Sequence, residues 1–384
     1  MCYYFIMCFK ISVVLGASLA VFIIFLSIVY VGAADRPRLD NMMRTFFVSG
    51  KTADKAPRII SSEEKNIKPI KSVWRVATGP SVMKENDAYK MWFMLIGKEK
   101  HGIGYATSSD GIWWSPYPEN PVFAVGLSDE WDGEELGTAE VLKENDTYVM
   151  WYRGNSGKLQ QIGRATSKDG IRWMRDFINP VLNVSGNEWD STAVVDSFIL
   201  FDQGVYKAWY RGSVDYDQAP SSIGFAVSAD GKRWIKYKGN PVIRPGLQGA
   251  WDDKLVGDQT ILKERNEYKM WYAGTSYLQE QKEDEWWNRL PWPTREGWKK
   301  EIGFATSLDG IVWKKYQRNP VVRVGGNGEW DSIKADNPFV MFDEGMYKMW
   351  YRGQNLSYSA IGYATSSDGI QWTKYSENPI LKAQ

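Results

Sequence analysis

The stretch IGYATSSDGIQW, Ile361 to Trp372, decides the fold, because the chain says nearly the same thing four more times. The copies are IGYATSSDGIWW at Ile103–Trp114, IGRATSKDGIRW at Ile162–Trp173, IGFAVSADGKRW at Ile223–Trp234 and IGFATSLDGIVW at Ile302–Trp313. A second phrase precedes each: KENDAYKMWF (84–93), KENDTYVMWY (143–152), FDQGVYKAWY (201–210), KERNEYKMWY (263–272) and FDEGMYKMWY (342–351). The closing tryptophans fall at 114, 173, 234, 313 and 372, in steps of 59, 61, 79 and 59. Within a unit the pattern predicts four short strands, such as A over 139–143, B over 148–152, C over 162–167 and D over 171–175. The alternating Val, Ile, Tyr and Trp residues favour strands, and S-x-D-G favours a tight hairpin between C and D. Such a unit buries its faces only against neighbours, so five of them predict a closed five-bladed β-propeller. No segment with a helical period follows residue 70, and the fold class behind the N-terminal segment is all-β.

The symmetric positions read as scaffold. Asp110, Asp169, Asp230, Asp309 and Asp368 can cap their own turns through side-chain to backbone hydrogen bonds, while the tryptophan of each phrase packs between units. The Glu-Trp-Asp triplets at 130–132, 188–190 and 329–331, with Ala250-Trp251-Asp252 as a variant, read the same way. Chemistry is expected where one unit departs from the others. Strand A lines the central channel of a propeller, and ten residues before the aligned tyrosine the units carry Gly79, Thr138, Asp196, Asp258 and Asn337. Glu140 stands two later in unit two, and Asp336 one earlier in unit five. Four carboxylates, Glu140, Asp196, Asp258 and Asp336, are therefore expected at one mouth, with none from unit one.

Converging carboxylates point to a metal, a cationic ligand or acid/base work. Cleaving a glycosidic bond needs two, one protonated to assist the leaving oxygen and one ionised, and a third can tune the acid by proximity. Ion pairing with neighbouring arginines is the competing reading. Because A and B run antiparallel, the end of B returns to the mouth and brings Arg153, Arg211 and Arg352 there, each within W-Y-R-G. These can bind sugar hydroxyls or an anionic substrate group, or neutralise the aspartates. The long step of 79 marks an insertion at about 276–300 between B and C of unit four, also on the mouth side. Its Trp286, Trp287 and Trp292, with Trp298, offer a wall for a sugar ring.

Charge is balanced, 47 Lys and Arg against 46 Asp and Glu, so no overall field recruits nucleic acid. The 20 tryptophans and 21 tyrosines exceed what a core demands and suit the C–H faces of sugars. A single histidine, His101, argues against a Ser-His-Asp relay or a histidine zinc site, and no nucleotide-binding loop occurs. Cys2 and Cys8 are the only cysteines, so residues beyond them form no disulfide.

After a short tail, 1–10, the run Ile11–Ala33 carries no charge over 23 residues, enough for a helix to span a membrane. Its length favours an uncleaved transmembrane anchor over a signal peptide. Residues 34–71 read as a polar stem, and 72–384 as the propeller. Arg36, Arg38, Arg44 and Lys51 favour a cytosolic body, whereas sequons at Asn145, Asn183 and Asn355 favour a glycoprotein with a lumenal or extracellular body, the placement expected here.

Five units, strand-A carboxylates and D-N-P-F-V at Asp336–Val340 resemble the five-bladed propeller glycosidases: the arabinanase and β-xylosidase family 43, with its invertase and levansucrase relatives. The likeness covers residues from about 72 to 384. It implies an Asp base, an Asp modulator and a Glu acid on three successive blades. Ala139–Leu142 is similar to the modulator's setting, Asp196 stands at the register of the acid, and Asp336 fits the base motif. The chain departs from that pattern in lacking a base on unit one, in offering Asp for the acid, and in Asp258, which has no counterpart. The Y-R and I-G-x-A-x-S-x-D-G phrases are also similar to mannoside phosphorylases. The expectation is a membrane-anchored glycoside hydrolase acting on carbohydrate through these carboxylates, without metal or cofactor. A non-catalytic glycan-binding propeller and a glycoside phosphorylase are the alternatives.

Overall fold

Each repeat folds into one antiparallel sheet in the computed structural model, which describes residues 74–97, 101–186, 188–215, 220–276 and 299–382. The tail, the expected membrane span at 11–33, the stem, and Trp286, Trp287 and Trp292 lie outside the described residues. Blade one consists of β1 (Trp74–Glu85), β2 (Ala88–Gly97), β3 (His101–Ser108) and β4 (Ser115–Pro116), with β5 (Phe123–Ala124) pairing back onto β3. Blade two holds β6 (Glu135–Glu144), β7 (Thr147–Asn155), β8 (Gln160–Ser167) and β9 (Trp173–Arg175). Blade three holds β10 (Ala193–Asp202), β11 (Val205–Ser213), β12 (Ser221–Ser228) and β13 (Ile235–Lys236). Blade four holds β14 (Leu255–Glu264), β15 (Glu267–Thr275), β16 (Glu301–Ser307) and β17 (Lys314–Lys315). Blade five holds β18 (Lys334–Asp343), β19 (Met346–Gln354), β20 (Ser359–Ser366) and β21 (Thr373–Lys374), with β22 (Leu381–Lys382) returning to β20. No helix occurs among the described residues.

The blades close into a ring through one repeated contact. The indole N–H of Trp92 donates to the Gly170 carbonyl of blade two, Trp151 to Gly231, Trp209 to Gly310, Trp271 to Gly369, and Trp350 of blade five to Gly111 of blade one. All five rings are fully buried. A buried indole contributes through its area and its satisfied N–H together, so each seam is held by a contact whose truncation costs about 3–5 kcal/mol. The acceptor glycine belongs to the S-x-D-G turn. Asp110 Oδ1 there accepts the N–H groups of Ile112 and Trp113, both at 2.9 Å, and the same pair of bonds recurs at Asp169, Asp230, Asp309 and Asp368. The turn aspartates thus aim a carbonyl at the neighbouring blade. The phrase tryptophans Trp114, Trp173, Trp313 and Trp372 meet the seam indoles edge-on.

At the far ends of the A strands a second set of contacts crosses the seams. Asp202 accepts from Lys207 of its own blade and from Lys263 and Tyr268 of the next, and Glu85 and Asp343 are held by the corresponding residues at their seams. These lysines and hydroxyls outweigh the cost of burial and hold Asp202 well below the usual carboxylate range.

Candidate active site

The inner strand of every blade is broken at the same place. Pairing of A with B shifts between Thr78 and Ser81, Leu136 and Ala139, Val195 and Phe198, Gly257 and Thr260, and Asp336 and Phe339. A bulge of this kind re-aims side chains. At its apex Gly79, Asp196, Asp258 and Asn337 have φ of 57°, 48°, 49° and 45°. The left-handed region costs an L-residue about 1–2 kcal/mol, least for Asn and Asp, so glycine, asparagine and aspartate are the residues that fit. The register at which the sequence stops repeating is therefore also where the backbone is bent.

Above the bulges lies a cavity of about 470 Å³ whose lining includes Asp196, Asp258, Arg153, Arg211 and Arg352. Beneath it a narrower space of about 40 Å³ shares Thr138, Asp196, Asp258 and Asn337 and adds Glu140 and Gln259. The four carboxylates thus occupy different depths. Asp196 and Asp258 face both spaces. Glu140, two residues past the bulge, lines only the lower space and not the upper mouth. Asp336 precedes the bulge and is fully buried behind Arg352, which grips it with a bidentate fork, Nε to Oδ1 at 2.5 Å.

Asp196 accepts from Thr138 Oγ1 at 2.8 Å and from Arg211 Nε at 2.8 Å. Arg211 Nε is also 3.8 Å from Asp258 Oδ1, and Lys300 Nζ stands 3.8 Å from Asp258 Oδ2 and 3.9 Å from Asp336 Oδ2. Asp258 Oδ2 is buried and receives no hydrogen bond. Burial disfavours charge on both aspartates. For Asp196 the Arg211 and Arg153 guanidinium groups, with the Thr138 hydrogen bond, outweigh it and hold the carboxyl well below its usual range. For Asp258 burial prevails over Lys300 and, reinforced by the Asp196 and Asp336 charges, pushes the carboxyl up to about 6. Burial likewise raises Glu140 well above the usual value against a hydrogen bond from Ser81, and Arg352 and Lys300 keep Asp336 low despite its burial. The two therefore hold one proton between them below about pH 6, and it sits on Asp258.

The three arginines line the mouth in paired states: Arg153 with Glu135 at 2.5 Å, Arg211 with Asp196, and Arg352 with Asp336. The further lining residues include the charged Glu135, Lys300 and Lys334, which the carboxylate and arginine patterns do not reach. Glu135 and Lys334 occupy the register held elsewhere by Val76, Ala193 and Leu255, and Lys300 that of His101, Gln160, Ser221 and Ser359, so the rule of looking for departures applied to those two positions finds them. His101 also lines the cavity, 4.0 Å from Glu135, and burial lowers its proton affinity. Among the described residues no cluster of three or more His, Cys, Asp or Glu could hold a metal ion, and no helix is long and apolar enough to cross a membrane.

Comparison with known proteins places this arrangement first by class. A thermostable family-43 glycoside hydrolase shares the fold with a TM-score of 0.57 and 17% identity, over 80% of this chain and 96% of that one. A β-1,2-mannobiose phosphorylase from Listeria innocua, solved with β-1,2-mannobiose, gives 0.57 and 15%, over 79% and 94%. The architecture is that of the propeller glycosidases and mannoside phosphorylases. No protein-family model matches the chain. Among relatives, an uncharacterized protein of Mycobacterium tuberculosis, Rv1502, is 30% identical over 292 residues, 73% of this chain and 88% of its own, and the chain belongs to the same family. The 1,2-β-oligomannan phosphorylase of Thermoanaerobacter sp. (strain X514) is 27% identical over 203 residues, 51% of this chain and 56% of its own.

Proposed function

We propose that the chain is a glycan-active enzyme that breaks a glycosidic bond at the propeller mouth, with Asp258 as proton donor and Asp196 as its ionised partner. The observation that carries this is one guanidinium shared by two aspartates inside an open cavity, Arg211 Nε standing 2.8 Å from Asp196 and 3.8 Å from Asp258, with Asp258 pushed up to about 6. A proton held there is available at mildly acidic pH for a leaving oxygen. As it leaves, the charge developing on Asp258 faces Lys300 and Arg211. This departs from the roles implied by the family-43 resemblance: Asp336 is gripped by Arg352 and Glu140 lines only the narrow space beneath the mouth, so neither stands in the cavity where a base would act.

The same geometry favours phosphorolysis over hydrolysis. Acid and base flanking a sugar need roughly 5–9.5 Å between carboxyls, whereas Asp196 and Asp258 crowd onto one guanidinium, Arg211 Nε lying 2.8 Å from the first and 3.8 Å from the second. A nucleophile that is already anionic needs no second carboxylate, and Arg153, Arg211, Lys300, Lys334 and Arg352 line the cavity that would receive it. The oligomannan phosphorylase relative makes β-linked mannosides the first substrates to try. Incubating the full-length chain with manno-oligosaccharides, with and without orthophosphate, should release a sugar phosphate only when phosphate is present. Free sugar in both cases would favour hydrolysis, and binding without any product would favour a glycan-binding propeller and remove Asp258 as an acid.

The reading extends to placement. Ile11–Ala33 anchors the chain, 34–71 carries the propeller, and the propeller lies on the lumenal or extracellular side, where the exposed Asn145 and Asn183 would accept glycans. Resistance of the chain to carbonate extraction, with a mass decrease on deglycosylation, tests both points. A chain that extracts freely has no anchor.

A further inference from the structure

We propose that Gly257 is a positioning residue: by having no side chain it lets Arg211 of blade three lie across blade four, so that one guanidinium faces both Asp196 and Asp258. An ideal Cβ on Gly257 would stand 2.2 Å from Arg211 Cδ, 2.9 Å from Cγ and 3.3 Å from Cβ. The forced contacts are with Cδ and Cγ of the arginine stem, so turning the guanidinium alone does not relieve them and the stem must leave strand A. The backbone supplies no other reason for glycine, because Gly257 is absent from the left-handed region that Gly79 occupies in blade one. Its register also holds Thr78, Gly137, Val195 and Asp336. Glycine recurs there only at Gly137, where Arg153 crosses its own blade on the way to Glu135, with Nε 1.8 Å from an ideal Cβ. Glycine thus stands at this register where an arginine lies flat on strand A.

The consequence falls on the acid pair and rests on the reading of Asp258 as proton donor. Asp258 faces Asp196 and Arg211 from blade three, Lys300 from the approach to β16, and Asp336 from β18, itself paired with Arg352. Glu140 of β6 shares the lower space, and Lys334 the upper one. Of the cations, Arg211 is the one that touches Asp196 and stands beside Asp258. A cation within ~4 Å favours the charged form of a carboxyl, so displacing it raises the pH at which the proton leaves.

Infrared titration of the full-length chain tests this without needing turnover, the Asp258 band being assigned by its loss in Asp258→Asn. Gly257→Ala is expected to move the Asp258 titration up by about one pH unit, and Arg211→Gln by at least as much. The double variant should titrate with Arg211→Gln, because the glycine acts only through the arginine. A Gly257→Ala chain that titrates as wild type, or a double variant whose shifts add, overturns the proposal. Should Gly257→Ala not fold, folding restored by Arg211→Ala supports the steric account, and folding left unrestored overturns it. A wild-type chain with no carboxyl titrating near pH 6 removes the Asp258 acid and this inference with it, whereas a normal wild-type titration with Gly257→Ala unmoved removes the role of Gly257 alone.

Discussion

Two sets of aspartates in this protein differ in almost every physical respect. The turn set, Asp110, Asp169, Asp230, Asp309 and Asp368, recurs once per blade, sits near solvent, and has its charge met by backbone N–H groups of its own turn. The mouth set, Asp196, Asp258 and Asp336, has no five-fold equivalent, is half-buried at Asp196 and buried at the other two, and is met by arginine and lysine. Five equal carboxylates that each solve a local hydrogen-bonding problem make a scaffold. Three unequal ones whose proton affinities are pushed apart make a site.

The comparison breaks first on activity. Asp258→Asn should cost about 10³-fold in kcat/KM on an oligosaccharide, the range of a lost general acid, while Asp169→Asn should leave the turnover of folded enzyme unchanged. Next comes the seam. Trp209→Ala removes a fully buried ring and its bond to Gly310, and should cost about 3–5 kcal/mol in denaturant unfolding with no specific effect on the pH profile.

Stability against pH separates the mouth from the far-side seams by sign. Asp202 is depressed in the folded chain, so its contribution is present above the unfolded value of ~3.9 and is lost as pH falls below it. Asp202→Asn should therefore be less stable than wild type at pH 7, with the gap closing in acid. Asp258 is raised to about 6, so its ionisation weighs against the fold as pH climbs from ~4 through 6. Asp258→Asn should gain on wild type over that interval and stay ahead above it. Thermal melts of the two variants from pH 3 to 8 should diverge in opposite directions, and parallel curves would erase the distinction. The smallest effect belongs to the turn set: Asp169→Ala loses two backbone bonds near the surface and should cost about 1 kcal/mol.

Much of this was legible before any coordinates. The repeated phrases gave the blade count and the hairpins because a repeat that buries its faces only against copies of itself must keep its contact residues. The strand-A register gave Asp196 and Asp258 for the complementary reason. Depth was not legible: the pleat after the bulge sends Glu140 downward, and Arg352 closes over Asp336, and neither follows from spacing. Lys300 and Lys334 also depart from their registers, but a lysine near a strand end reads as surface charge until its burial is known, and both are buried.

The most direct test uses leaving groups. An acid is needed when the departing oxygen is a sugar alkoxide and is dispensable when it is a dinitrophenolate. Asp258→Asn should therefore lose about 10³-fold on an oligosaccharide and little on the matching dinitrophenyl glycoside. Equal losses on the two substrates would contradict the assignment of Asp258 as the proton donor.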